Sequence, residues 1–514
     1  MTARSSSVLR PEHPSARSLA ALVDEFGLEH SGSLDGVELT GITLSTKNLE
    51  PGDLYVGIQG ANSHGADFAA KAKQGGAVAI LTDAAGAAIA ADSGLPVVLV
   101  DAPREALGAI SAWIYRTAEN PPLLFGITGT NGKTSASYLL NGILTQLGLI
   151  TGLSTTAERK IGDLTIPSTL TTPEATEVHG LLARMRESEV RAVAIEVSAQ
   201  ALSRNRVDGV VFDVVGFLNL SHDHLDDYAT MQEYFEAKLP LFDPDRARRG
   251  VVSLDSEWGE RVVQASRIPI TTISTTPGID ADWVVTILEE QAEWTEFSLT
   301  GPGGRLLTTR VPLMGWHMAA NAGLAIVMLV EAGFELEAIG QALDTDGGIV
   351  AYLPGRIERV SSEVGPAVYV DFGHSPDAFL TTLAAVRKFT TGKLIMLFGA
   401  DGDRDPSKRL EMGRIGSEGS DVLVITDYNP RFETPAEIRA TLLEGARSAS
   451  HPAELHEIAQ QSQAIRAAVA MAGEGDSILW AGPGHEDYME VEGLKLPFSA
   501  RDEARQALRE AGWA

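Results

Sequence analysis

Cysteine is absent from the 514 residues, which excludes disulfide staples, iron–sulfur clusters and thiol catalysis and leaves stability to packing. Positive charge is scarce: 41 Lys and Arg stand against 69 Asp and Glu, a net charge of −28. So acidic a surface repels nucleic acid and anionic lipid, and any polyanion has to be met by a local cluster of cations. No apolar run approaches the roughly 18 residues of a membrane span. The opening MTARSSSVLRPEHPSARSL carries basic residues but no apolar leader core. These shortages predict a cytoplasmic chain with no membrane span and no nucleic-acid partner. Aromatic residues are also few, at 6%, whereas glycine numbers 51, a balance that suits a loop-rich α/β chain whose turns approach ligands closely.

At about 100–200 residues per domain the length predicts roughly three domains. In the first, 1–118, GDLYVGIQG reads as strand and turn, DFAAKAKQGGAVAIL as helix then strand, and LPVVLVD as a further strand. Pro121-Pro122 breaks the pattern ahead of a second domain, 119–352. Its apolar runs LLFGIT, VRAVAIEV and VVFDVVGFLNL, separated by helical segments, predict a mostly parallel, doubly wound sheet. WVVTILEEQAEWTEFSLTG adds an antiparallel extension and GWHMAANAGLAIVMLVEAGF a helix. After Leu353-Pro354-Gly355, the strands VYVDFGH, KLIMLFGA, DVLVITD and SILWAGPG alternate with helices and predict a third, Rossmann-like α/β domain, 353–514.

The sharpest local signal is LLFGITGTNGKTSASYLLNGILTQLG, an apolar strand, a glycine-bearing loop and an amphipathic helix. A phosphate needs inward backbone N–H groups, a helix N-terminus, a cation and a hydroxyl for Mg²⁺. Gly129 and Gly132 permit the turn, Lys133 supplies the charge and Thr134 the hydroxyl, although Ile127 stands where the strict pattern wants glycine. Glu196 ends the strand VRAVAIE, at the sheet edge where open α/β folds bind ligands, and can hold Mg²⁺ there. NLSHDHLDDY is dense in His and Asp, and because His222 and His224 alternate, one of them is expected to face any given site. Thr230 and Glu233 form a capping box that starts a helix, with Pro240 ending it; Lys238, two turns in, reads as a snorkelling surface lysine.

These motifs together resemble the Mur ligase family, and within it the UDP-N-acetylmuramoyl-tripeptide synthetase type, from about residue 40 to 503. The resemblance implies three domains: a uridine-binding N-terminal one, a central P-loop ATPase and a C-terminal amino-acid-binding one. LSTKNLEPGDLYVGIQG is similar to the family's uridine stretch, with Ser45, Thr46 and Lys47 where Asp-Ser-Arg is usual. GTNGKT matches closely and implies that Gly129, Thr130, Asn131, Gly132, Lys133, Thr134 and Ser135 bind ATP. By the same resemblance Thr46, Thr171, Thr172, Ser198, Arg204 and Arg206 hold the UDP-muramoyl dipeptide. Thr134, Glu196, His224 and Lys238, the last as a carbamate, serve Mg²⁺, with Lys133, Lys238 and His224 catalytic. His317 and Asn321 of GWHMAAN, then Arg356, and Asp371 and His374 of DFGHSPD, fall where relatives meet the nucleotide.

The implied reaction is attack of a D-glutamate γ-carboxylate on ATP, followed by amide formation with an incoming amino acid, in peptidoglycan precursor synthesis by a monomer. The resemblance places Arg404, Asn429, Arg431, Gly482 and Glu486 in the amino-acid pocket. Asn429 and Arg431 favour a substrate with a distal carboxylate and Glu486 reads a second amine, leaving meso-diaminopimelate, lysine, ornithine and diaminobutyrate open. Rival readings are another Mur-type or folylpolyglutamate-type ligase and, from a different class, a P-loop regulator that only binds or hydrolyses ATP.

Overall fold

Short apolar runs bounded by glycine and polar turns fold into sheets whose carboxyl edges carry the motifs. The computed structural model describes residues 9–60, 62–168 and 170–513. Near the N-terminus, a five-stranded sheet runs in the order Glu29–Ser31, Val97–Leu99, Ala79–Thr82, Asp53–Gly57, Gly41–Thr43. It is parallel except at the Glu29–Ser31 edge.

The central sheet has eleven strands, and those from Thr151–Ser154 through Ala192–Glu196, Leu123–Thr128, Phe212–Phe217, Ala247–Ser253 and Ile270–Ser274 to Trp283–Glu290 pair in parallel. Thr295–Thr300 and Leu306–Val311 extend it antiparallel, as WVVTILEEQAEWTEFSLTG predicts. Each core strand is apolar on both faces: Ala192 and Ala194 join one cluster, with Phe125, Leu139 and Met318, while Val193 and Ile195 join another, with Leu181 and Phe212. Burial on both sides is why these strands read as continuous apolar runs. The helices Lys133–Gln146 and Trp316–Glu331 cover the first face and Ala175–Glu187 the second.

The third sheet runs Glu358–Arg359, Ala367–Asp371, Ser477–Ala481, Leu394–Phe398, Val422–Ile425, Glu454–Glu457, parallel from the second strand onward. Its carboxyl edge therefore gathers Asp371 and the loops 399–408, 426–431 and 482–486. Tyr369, Phe379 and Met396 belong to the same apolar cluster as Phe125 and Met318, so the second and third sheets share a packed junction.

One expectation is overturned. Thr230 caps a helix as foreseen, its hydroxyl accepting the Glu233 N–H at 3.1 Å, but that helix ends at Glu236 and a 3₁₀ turn, Leu239–Phe242, follows. Pro240, which cannot continue the helix, breaks the run before its second turn is complete. Lys238 thus sits at a chain reversal that turns it inward, and it is 2% exposed rather than on the surface.

Candidate active site

The phosphate loop leaves the middle of the parallel sheet between Thr128 and Lys133. Gly129 and Gly132 have φ of +155° and +87°, conformations that side chains rarely tolerate. A Cβ on Gly132 would also come within 2.8 Å of Asn321 Oδ1, which ties the turn to the helix Trp316–Glu331. Lys133 Nζ donates to the carbonyls of Gly129 and Thr130, both at 2.9 Å. Burial, partly offset by Glu196 and Asp223, pulls its pKa down. Asn131 N–H donates to Asn219 Oδ1 at 2.9 Å, and Ser135 is buried in the first helical turn. Across the junction Arg356, stacked 4.4 Å over Phe372, donates through Nη2 to Thr134 Oγ1 at 2.8 Å.

Glu196 is fully buried at the end of the neighbouring strand. Its carboxylate accepts the Thr156 N–H at 3.1 Å and the Thr156 hydroxyl at 3.0 Å, with no cationic side chain within 4.0 Å among the described residues. Lys238 Nζ donates to the Gly129 carbonyl at 3.2 Å and lies 4.4 Å above the Tyr234 ring. Burial first, then the charge of Lys133, drives its pKa well below the usual lysine value. His224, at φ +58°, approaches the edge of Tyr234, whereas His222 turns to Ser407 and Asp405, so the alternation does send the two histidines to different partners.

Between them sits Asp223, 5% exposed and missed by sequence reasoning although it lies inside NLSHDHLDDY. It pairs with Lys408 Nζ at 2.8 Å, while His374 and His224 Nε2 stand 3.8 and 3.9 Å away. Burial would raise its pKa, but Lys408, His374 and His224 overturn that and hold it well below the carboxylate range. His374 Nδ1–H donates to the Phe372 carbonyl at 2.8 Å, and burial with Lys408 nearby pushes its pKa down to about 4. Both Asp371 oxygens accept backbone N–H groups, of Ile357 at 2.9 Å and Gly373 at 2.8 Å. His317 Nδ1 is buried without a partner.

The Thr171 hydroxyl lies 3.0 Å from that of Thr156, and Thr172 Oγ1 donates to the Glu196 carbonyl at 2.7 Å while accepting the Ser198 N–H at 3.2 Å. Arg206 binds Glu174 at 3.0 Å and the Thr172 carbonyl at 3.3 Å. Arg204 points instead to Asp227 at 3.1 Å. Thr46, half-buried after the strand Gly41–Thr43, is joined to none of these by a hydrogen bond among the described residues.

At the carboxyl edge of the third sheet, Tyr428 and Tyr488 hydroxyls donate to Glu486 at 2.7 and 3.1 Å, and Asn429 Nδ2 does so at 3.2 Å. Arg431 Nη1 donates to the Gly402 carbonyl at 2.9 Å. Gly482, at φ +113°, donates its N–H to the Asp371 carbonyl at 2.9 Å, which links this pocket to the Asp371 loop. Arg404 is exposed and, among the described residues, hydrogen-bonds only the Asp403 carbonyl, at 3.4 Å.

Comparison with known proteins finds relatives along the whole chain. Family models described as Mur ligase family catalytic domain, Mur ligase middle domain, and Mur ligase glutamate ligase domain match residues 38–115, 127–329 and 355–484. A UDP-N-acetylmuramyl-tripeptide synthetase of Leifsonia xyli is 63% identical over all of both chains. The chain belongs to the Mur ligase family. A Streptomyces avermitilis family member, a UDP-N-acetylmuramoyl-L-alanyl-D-glutamate–2,6-diaminopimelate ligase, is 42% identical over 98% of each chain. The Mur ligase fold is shared with a solved structure of a ligase of that same name, at a TM-score of 0.64 and 24% identity, covering 96% of this chain and 99% of the other. MurF of Thermotoga maritima, solved with ADP, matches at 0.65 and 16% identity over 92% and 98%. Mur ligases are ATP-dependent, and among the described residues no helix is long and apolar enough to cross a membrane.

Proposed function

We propose that this Mur ligase adds the third amino acid to UDP-N-acetylmuramoyl-L-alanyl-D-glutamate, in the cytoplasm and as a monomer, with domain boundaries near residues 118 and 352. The observation that carries the reading is the meeting of two sheet edges: Arg356 on Thr134 and Lys408 on Asp223 bring the phosphate loop against the Asp371–Glu486 edge. ATP fits there. The loop's N–H groups and Lys133 face its phosphates, while the unpartnered His317 Nδ1, with Asn321, Asp371 and His374, suits the nucleoside end.

In the first step a γ-carboxylate oxygen of the dipeptide's D-glutamate attacks the γ-phosphorus, and the bond to the β-phosphate oxygen breaks to release ADP. The amine of the incoming amino acid then attacks the acyl carbon, losing a proton, and phosphate leaves. Lys133 and Arg356 screen the approach of two anions, and closure of the junction shields the acyl phosphate from water. Thr46, Thr171, Thr172, Ser198, Arg204 and Arg206 hold the nucleotide-sugar dipeptide.

The donor set also fits Mg²⁺, because Glu196 is a buried carboxylate whose only hydrogen-bond partner among the described residues is Thr156, and Thr134 adds a hydroxyl oxygen. Thr134, Glu196, His224 and Lys238 as a carbamate would hold it, and the ion would neutralise charge between phosphates and carboxylate. Lys238 suits the modification: burial and the charge of Lys133 disfavour its ammonium form and so favour the neutral amine that takes up CO₂, and a carbamate would put an anion in its place.

The test is ADP release by the purified protein, expected to require both the UDP-muramoyl dipeptide and a free amino acid. Release that depends on neither would favour a P-loop regulator instead.

A further inference from the structure

Arg431 carries the sequence-based expectation of a distal carboxylate, yet its guanidinium is already paired. Nη2 lies 3.3 Å from Asp401 Oδ1, Nε donates to Glu490 Oε2 at 3.3 Å, and Nη1 is spent on the Gly402 carbonyl. Glu486, in the same pocket, is held only by the two tyrosine hydroxyls and Asn429, with no cation within 4.0 Å among the described residues. The neighbouring cations are committed elsewhere: Lys408 to Asp223, and Arg404 to its own loop at the surface. Within 4.0 Å, Arg431 is the one guanidinium among the described residues that meets Asp401 and Glu490, while Glu486 has none; Lys408 and Arg404 act on Asp401, and Arg356 on Glu486, only from farther off.

A fourth carboxylate brought to Arg431 would stand beside Asp401 and Glu490 with no added cation, a like-charge contact that disfavours binding. An ammonium would instead supply the missing positive charge. We infer that the pocket selects an amino acid with a second amino group and no second carboxylate, and that Asp401 is the residue that sets this preference by occupying Arg431. The inference rests on the ligase reading above and departs from the distal carboxylate that Asn429 and Arg431 suggest in sequence. Burial, reinforced by Glu486 and only partly offset by Arg431 and, more weakly, by Lys408 and Arg404, raises the Asp401 carboxyl to about 6, as expected of an acid short of positive charge.

The test is ADP release by the full-length protein with ATP, Mg²⁺ and UDP-N-acetylmuramoyl-L-alanyl-D-glutamate, comparing L-lysine, L-ornithine, L-2,4-diaminobutyrate and meso-diaminopimelate. The best of the first three is expected to exceed meso-diaminopimelate at least tenfold in kcat/KM. In Asp401→Asn, checked for native circular dichroism, that ratio is expected to shrink at least tenfold, mainly through KM. Preference for meso-diaminopimelate in the unmodified protein would overturn the inference while leaving the ligase reading intact, as would an Asp401→Asn variant that slows all four substrates equally. The unmodified protein's ratio decides the substrate class even if the variant does not fold. No ADP release with any of the four would overturn the ligase reading and the inference with it.

Discussion

Replacing Lys408 with methionine removes the one lysine or arginine that, among the described residues, reaches Asp223, a carboxylate 5% exposed at the junction of the second and third sheets. Breaking a buried ion pair from one side costs about 3–5 kcal/mol, because the remaining charge is left uncompensated. His374 and His224, 3.8 and 3.9 Å from the carboxylate, can take up a proton and soften this toward the lower end, about 3 kcal/mol. At ~1.4 kcal/mol per tenfold, the docked arrangement loses roughly a hundredfold in population relative to separated domains, in which Asp223 regains water. Lys408→Met is therefore expected to lower kcat/KM about a hundredfold and to raise the radius of gyration in small-angle scattering, while far-UV circular dichroism stays native. In Asp223→Asn/Lys408→Met neither member of the pair leaves an uncompensated charge behind, so compactness should be largely restored whatever happens to catalysis. A single variant as compact and active as the unmodified protein, or a double variant as open as the single, would refute the reasoning.

Lys133→Met is expected to reduce ADP release by roughly a thousandfold, the scale of losing a group that stabilises developing charge. Its thermal midpoint should not fall, because two carbonyl acceptors compensate a half-buried ammonium poorly; an unchanged turnover rate would remove the lysine from the phosphate site. Lys238→Ala should be inactive and partly rescued by millimolar formate or acetate, with intact mass of the unmodified protein showing one added CO₂; rescue by methylamine instead would argue for a working ammonium. His179, buried between the Thr117 hydroxyl and the Asp208 carbonyl at 2.8 Å each, has its pKa pushed by burial from 6.5 to about 4. The unfolded chain then binds a proton that the folded chain refuses, so stability falls as pH drops from 6.5 toward 4, by about 2 kcal/mol between pH 7 and pH 5. Urea titrations of His179→Gln should show that much less loss over the same interval, and an identical slope would refute the assignment.

Much of this protein is legible in its residues because local physics dictates it. Continuous apolar runs such as LLFGIT and VRAVAIE can only be strands buried on both faces, and the Gly129–Thr134 loop declares a phosphate site because the backbone it needs is one that glycine alone adopts readily. Glu196 is placed at a sheet edge by counting along its strand. Tertiary structure decided what depends on partners distant in sequence. Lys238 reads as exposed because a lysine among apolar residues normally snorkels, and only the chain reversal at Pro240 buries it beneath the loop that holds Lys133. Asp223 needed Lys408, 185 residues away, to become a charged contact between the second and third sheets. Arg431 looks free to grip a carboxylate until Asp401, from another loop, and Glu490, from the strand Tyr488–Val491, are found beside it. Charge compensation is a property of what surrounds a group in space, and a sequence specifies a residue's chemistry without specifying which opposite charge has already claimed it.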